Sequence, residues 1–542
     1  MFKKFTIGCG GVFLILLLIC GGLAWKIVGP SKSLVISPET TFITEPLTPE
    51  GYVDYPAALL DELREGVTPE NNGAIVYLQA TWPSGLDEPQ QAIVCNELGM
   101  EIPTRNGFML LEESPQAEEI QAWLEDGGDL VFEDSKAVLR SASQAPWRRE
   151  DCPPLAVWLD SQKEDLDRLA ELENYSHFYL PSDEFFTDPD ALLLEHQLIF
   201  GKQARDIARA LSARAMLAIS ESRPDDAARD VQTLFVLSRV LSPEDYLIHH
   251  LVEIAIRRMV IAATYALLAS GQCDVRLLEE MVKYQDAHPE DRTFLVSINQ
   301  SERYAGLQVA QMLANGCDPA DLTEPLYIEE EGAKRLLQIP FDRNVMMRQL
   351  NSHYDSLATA LALDTLAQRA DAIAACDEQF QIAVGKIRDP EVLSRALIEQ
   401  SDRGRLVGDV LAAMLVIMNT MPLRTEVETN LRLRLLRISI ALEQYRLEHD
   451  EYPETLQALT DKLDQAKLKD PFSDGSYRYD RRGAGYLLYS LHIDREDDGG
   501  DDPILNIYGG EFVESGPLAY EEGDVTALLP LAPSKFLQLD EE

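Results

Sequence analysis

IARALSARAMLAISESRPDDAARDVQTLFVLSRVL, residues 207–241, reads as two helices and the break between them. Ile207, Leu211, Ala215 and Ala218 recur at three- and four-residue spacing, which stacks them on one face of a helix. Ser222-Arg223-Pro224 interrupts that pattern, because proline lacks the N–H a helix interior needs. Ala227, Val231, Leu234, Phe235, Leu237 and Val240 then supply the apolar face of a second helix. Ser242-Pro243 opens a third, with Ile248, Leu251, Ile254, Ile256 and Val260. Antiparallel helices joined by short turns are expected across 189–423. Val407–Leu423 is apolar but carries Asp409, Asn419 and Pro422, so it reads as a buried helix, not a membrane span.

The pair Ala210 to Leu241 resembles a tetratricopeptide hairpin, but no second copy follows at a fixed period, so no solenoid is expected. On the N-terminal side, residues 51–188 read as a mixed α/β region of short elements. Tyr55–Leu63 is a short helix, Gly66 to Gly73 a turn, and Ala74-Ile75-Val76-Tyr77-Leu78 the start of a new apolar element. Ser114-Pro115 opens a helix that stops at Gly127-Gly128. Residues 29–50 are rich in helix breakers (Pro30, Pro38, Pro46, Pro49) and read as a linker.

Phe5 to Trp25 is uncharged and follows Lys3 and Lys4. As a helix it would rise about 30 Å, the hydrocarbon thickness of a bilayer. An uncleaved single-pass anchor over residues 1–28 is the expectation. Two alternatives stay open: a cleaved signal peptide, given the small residues of Gly22-Leu23-Ala24, and lipidation at Cys20. Anchor and signal peptide alike place the bulk outside the cytoplasm, with the membrane as a partner.

The 542 residues carry 92 Asp and Glu against 48 Lys and Arg, a formal charge of −44. Such a surface repels phosphates, so nucleic-acid binding is not expected. Protein partners are compatible with it. Cys95, Cys152, Cys273, Cys317 and Cys376 are scattered without a Cys-x-x-Cys pair, which argues against zinc and against a dense disulfide framework. One or two disulfides and buried free thiols both fit.

Beyond Leu423 the composition changes. Leu431 to His449 is read as amphipathic, with Leu435, Ile438, Leu442, Tyr445 and Leu447 as core contacts. Aromatic runs at Tyr477-Arg478-Tyr479 and Gly485 to Leu491, bounded by turn residues, are expected as short antiparallel strands packed on that helix. Ala441-Leu442-Glu443-Gln444-Tyr445, Tyr452-Pro453, Asp470-Pro471-Phe472, Tyr489-Ser490-Leu491 and the acidic loop that follows resemble the globular part of the major type II secretion pseudopilin. The resemblance covers about 430–510 and implies a helix on a small sheet, with a calcium ion held by the loop after the Tyr-Ser-Leu strand. The family's Gly-Phe-Thr-Leu-x-Glu signal is absent, and 29–423 intervene between the apolar segment and this module. Tyr52–Ala74 resembles a segment of large, uncharacterised, exported and membrane-anchored bacterial proteins that end in such a module.

The loop is Asp494-Arg495-Glu496-Asp497-Asp498-Gly499-Gly500-Asp501-Asp502. Calcium takes six to eight hard oxygen ligands on a flexible, turning backbone. Asp494, Glu496, Asp498 and Asp502 are the candidate ligands, and Gly499-Gly500 permits the turn. An EF-hand needs Glu at its twelfth position, where this chain has Leu505. No Walker loop, Gly-x-Gly-x-x-Gly, Gly-x-Ser-x-Gly or His-Glu-x-x-His occurs, so no catalytic residue is assigned. His249-His250, near Glu244 and Glu253, read as partly buried helix residues, since neighbours on a helix point about 100° apart. His449 and His492 are placed at the surface.

The expected architecture is multidomain and mostly α: a transmembrane helix (1–28), a linker (29–50), the mixed region (51–188), a helical-hairpin domain (189–423), the α+β module (424–515) and an acidic tail (516–542). The expected role is a membrane-anchored, non-catalytic interaction or envelope protein with a calcium-stabilised terminal module. An exported hydrolase with a dispersed active site and a secretion-system component are the alternatives.

Overall fold

The computed structural model describes residues 21, 25–83, 85–127, 134–181, 192–193, 199–240, 247–286, 294–317, 339–386, 388–416, 420–501 and 524–529. Its labelled helices are α1 (Tyr55–Leu63), α2 (Ala74–Thr81), α3 (Glu88–Leu98), α4 (Pro115–Gly127), α5 (Ser135–Ala142), α6 (Pro153–Ser161), α7 (Ile199–Ser220), α8 (Pro224–Val240), α9 (Leu247–Ala269), α10 (Val275–Asp286), α11 (Arg303–Asn315), α12 (Arg343–Leu361), α13 (Leu366–Lys386), α14 (Pro390–Ile398), α15 (Gln400–Leu415) and α16 (Thr420–His449). Strands β1 (Arg478–Arg482), β2 (Gly485–Ser490) and β3 (Val525–Leu529) form one antiparallel sheet in the order β1-β2-β3.

The break at Pro224 acts as read: α8 begins there, after Ser222 adopts a left-handed conformation (φ 56°), while Ser242-Pro243 lies outside the described residues. Ile207, Leu211, Ala215 and Ala218 are all buried. In the third helix Ile254, Ile256 and Val260 are buried, whereas Leu251 faces solvent. Helices α7, α8 and α9 pack on one another, and α12, α13 and α15 form a second group. Both groups, through α9 and α13, pack on α16, and one continuous apolar cluster runs from Val53 to Leu529.

Three expectations need correction. Residues 51–188 contain no strand among those described; they are helices and 3-10 turns, with isolated bridges between Asn72 and His177 and between Val53 and Leu47. Ala74–Leu78 is the first part of α2. Its Val76, Tyr77, Leu78 and Ala80 are all buried, because neighbouring helices cover it on several sides. An apolar run covered this way carries no period from which to tell helix from strand.

Second, α16 is not amphipathic. Leu435, Ile438 and Leu442 are buried as expected, but so are Glu428, Asn430, Arg432, Arg437 and Ser439 on its other faces. Each of these residues meets a partner. Glu428 accepts from Arg258 (2.9 Å) and Arg432 (2.7 Å), and Asn430 Oδ1 accepts from Arg257 (3.1 Å). Arg437 donates to Asp286 (3.4 Å), and Ser439 Oγ lies 3.3 Å from Tyr265 Oη. Buried charges persist only when paired in this way.

Third, no helix among the described residues is long and apolar enough to cross a membrane. The long helices carry charges that pair inside the fold: Glu253, Arg257 and Arg258 on α9, and Glu428, Arg432 and Arg437 on α16. That finding stands against the single-pass, signal-anchored assignment. Of Phe5–Trp25, only Gly21 and Trp25 lie within the described residues.

The stretch read as a linker is tied down along α12 and α15. Asn344 accepts from Val35 N–H (2.8 Å) and donates to Ser33 O (2.9 Å), and Asn351 donates to Thr40 O (2.8 Å). Arg403, fully buried, donates to Pro340 O (2.6 Å), Ala396 O (2.9 Å) and Ile27 O (2.9 Å). A guanidinium suits this role because its rigid fork reaches several carbonyls at once. Cys95, Cys152, Cys273, Cys317 and Cys376 are free thiols. Burial pushes the Cys152 thiol up to about 11.

Candidate metal site in the C-terminal loop

The motifs behind the pseudopilin resemblance meet in space. The Asp470 carboxylate is buried. One oxygen accepts from Phe472 N–H (3.0 Å) and Ser490 Oγ (2.6 Å), and the other from Leu491 N–H (3.1 Å). Asp-Pro-Phe and Tyr-Ser-Leu are thus two halves of one clamp at the end of β2. The inner face of β2, Tyr486 and Leu488, packs on α16. Just before it, Gly483 (φ 58°) turns β1 into β2.

The acidic loop leaves this clamp and folds back over the sheet. Gly499 and Gly500 are both left-handed (φ 71° and 88°), the conformation that favours glycine. A Cβ on Gly500 would lie 3.0 Å from a Leu487 methyl, so the loop also approaches the sheet closely there. Asp497 is held from two sides. Its Oδ1 accepts from Tyr489 Oη (3.0 Å) and Gly499 N–H (3.2 Å), and its Oδ2 from Arg478 Nε (3.2 Å). The bonds from Arg478 and Tyr489 hold its carboxyl below the usual range.

The organising residue is Asp524, immediately before β3. It is 1 % exposed. Its Oδ2 accepts from the N–H groups of Asp498 (3.0 Å) and Gly500 (2.8 Å). Its own N–H donates to Asp501 O (2.8 Å), and Thr526 Oγ1 donates to Gly500 O (3.0 Å). Its Oδ1 is buried with no hydrogen-bond partner among the described residues. Burial, with the charges of Asp497 and Asp498, pushes the Asp524 carboxyl up to about 6, against the pull of the Gly500 N–H. An orphaned carboxylate oxygen beside two further carboxylates fits a cation: it supplies the charge the site lacks and a ligand for the free lone pairs.

The residues expected to bind are only partly gathered here. Asp498 reaches Asp524 through its backbone N–H. Asp494 is exposed and accepts from Glu496 N–H (3.1 Å), a local turn. Glu496 is exposed, and Asp502 lies outside the described residues. Among the described residues no three His, Cys, Asp or Glu side chains are poised together around a metal position. Arg495 leaves the loop, and its Nη2 donates to both carboxylate oxygens of Asp371 on α13 (2.8 and 2.7 Å). Asp524 carried no local signal in the sequence: it lies 26 positions beyond Asp498, and only the pairing of β3 with β2 brings it under the loop.

The histidines divide. His449 is exposed and stacks on Tyr445 (3.9 Å). His492, expected at the surface, is buried beside Phe472, with its backbone in the left-handed region (φ 56°). His250 is buried and spends both ring nitrogens on protein partners, Glu253 and Ser297.

A groove of about 520 Å³ lies between α8, α10 and α16. Val231, Phe235, Leu277 and Met281 line it, with Arg229 and Lys283 at its rim. Comparison of the chain with protein-family models, with curated proteins and with solved structures finds no match in any of the three.

Proposed function

We propose that the chain is a helical interaction protein whose C-terminal, pseudopilin-like module is stabilised by calcium. The unpartnered Oδ1 of buried Asp524 carries the calcium reading. Asp524 and Asp498 would hold the ion, with loop carbonyls completing its shell of hard oxygens. Calcium there would neutralise the repulsion among Asp497, Asp498 and Asp524 and fix the loop against β3. The interaction role is supported by the groove beside α10, whose size and apolar lining suit a docked side chain or small ligand.

The test is a calcium titration of the full chain followed by thermal unfolding. Millimolar calcium is expected to raise the unfolding temperature of the C-terminal module, magnesium to do so weakly, and Asp498→Ala to remove the effect. An unchanged curve at millimolar calcium refutes the reading.

A further inference from the structure

Away from the loop, the most concentrated chemistry lies where α9 meets the segment 295–302. His250 and Glu253 sit one turn apart on α9, and both are buried. His250 Nδ1 is 3.0 Å from Glu253 Oε2, and His250 Nε2 is 2.8 Å from Ser297 Oγ. A carboxylate only accepts, so the Nδ1 proton points to Glu253. In the neutral imidazole Nε2 then carries the lone pair, and the Ser297 hydroxyl donates to it. Hydrogen-bond partners, not an observed proton, fix this tautomer.

Two further features support the arrangement. Arg257, one turn beyond Glu253, places Nε 3.4 Å from Glu253 Oε1 and donates to Asn430 (3.1 Å), so the carboxylate is held on its far side. Ser297 is the last residue before a π-helical turn, Ile298–Glu302, a widened geometry that recurs at functional sites. The surroundings are apolar: the Phe294 ring meets His250 edge-on at 4.1 Å, and Ile298 is buried.

We propose that Ser297, His250 and Glu253 form a nucleophilic relay for acyl transfer from a small, apolar ester. This reading is independent of the calcium proposal. A nucleophile within hydrogen-bond reach of a base, itself oriented by a third group, is the general signature of such chemistry. Ser297 Oγ attacks the ester carbonyl carbon as its proton passes to His250 Nε2. The tetrahedral adduct collapses by breaking the bond to the alcohol oxygen, which takes the proton from Nε2 and leaves. Water then gives a proton to Nε2 and attacks the acyl carbon. Ser297 Oγ departs, regains the proton, and a carboxylic acid is released. Glu253 is a positioning residue that holds the ring and balances its transient charge.

Ser297 has no solvent exposure, whereas its neighbours Leu295, Val296, Asn299 and Gln300 are all partly exposed. That restricts the substrate to small molecules that enter during local opening, which costs less than global unfolding. A network that merely fixes the packing of α9 would show the same distances and no reactivity.

The full chain treated with diisopropyl fluorophosphate and analysed by peptide mass spectrometry separates the two. A single adduct on Ser297 is expected, forming at least 100-fold faster than on any other serine. Glu253→Gln is expected to slow it by about 10⁴-fold, as loss of the orienting carboxylate does in serine triads. An unlabelled Ser297 in the folded chain, or labelling spread evenly over many serines, overturns the proposal. So does an undiminished rate in a folded Glu253→Gln variant. If that variant does not fold, the adduct map of the unmodified chain decides alone.

Discussion

Replacing Asp524 by asparagine separates a calcium ligand from a simple loop clamp, because the two readings give different results once calcium is present. In the metal-free chain the change is nearly neutral. The new amide oxygen still accepts from Asp498 and Gly500 N–H, now without charge assistance, a loss of about 1 kcal/mol. Against that, the repulsion from Asp497 and Asp498 disappears. The loop above is open to water, which screens that repulsion, so the gain is also about 1 kcal/mol. With calcium at a hundredfold excess over its dissociation constant, the native site gains about 2.7 kcal/mol and the variant gains little. Amide hydrogen exchange at Gly500 and Asp498 reports this local stability directly, and a chain this long is not expected to unfold in one step. The two proteins should exchange within ~5-fold of each other in chelator. In calcium, the native chain should exchange about 100-fold more slowly than the variant. Equal protection of the native chain and the Asp524→Asn variant in calcium would refute Asp524 as a ligand, and no response of the native chain would refute the site.

Three further outcomes follow from the packing. Gly306→Ala puts a Cβ 2.3 Å from the hydroxyl of buried Tyr354, which donates to Glu302 O (2.9 Å); overpacking of about 1–3 kcal/mol should outweigh the ~1 kcal/mol helix-propensity gain, and Tyr354→Phe in the same chain should recover part of the loss in urea unfolding. Arg403→Met leaves the carbonyls of Pro340, Ala396 and Ile27 without their donor and should cost about 3–5 kcal/mol, with 25–41 becoming cleavable by protease; Arg403→Lys should restore only part, since an ammonium lacks the guanidinium fork. Burial alone would raise the Glu428 carboxyl, but Arg258 and Arg432 outweigh it and hold it below the usual glutamate range; its contribution is therefore full above pH 4.5 and falls as pH drops through the lowered value, so the unfolding temperature should decline in acid and Glu428→Gln should flatten that decline.

The sequence by itself determined those features that depend on neighbours within about four residues. The faces of α7 and α8, the break at Pro224 and the strands flanking Gly483 all follow from local period and turn chemistry. Asp470-Pro471-Phe472 and Tyr489-Ser490-Leu491 were visible as motifs, but their joint role became clear only when Asp470 was seen holding Ser490 and Leu491. Tertiary structure decided whether the apolar run at Ala74 was helix or strand and whether α16 was half buried or enclosed, because both depend on how many neighbours surround an element. It also decided which acidic residue matters most. Among 92 acidic side chains, spacing could not single out Asp524; its burial under the loop comes from β3 pairing with β2 across a long sequence gap. Ser297 meets His250 in the same way, across 47 positions, on a face that only helix packing creates. Local periodicity encodes the elements, whereas convergence of distant polar groups depends on how those elements pack, and that information is spread over the whole chain.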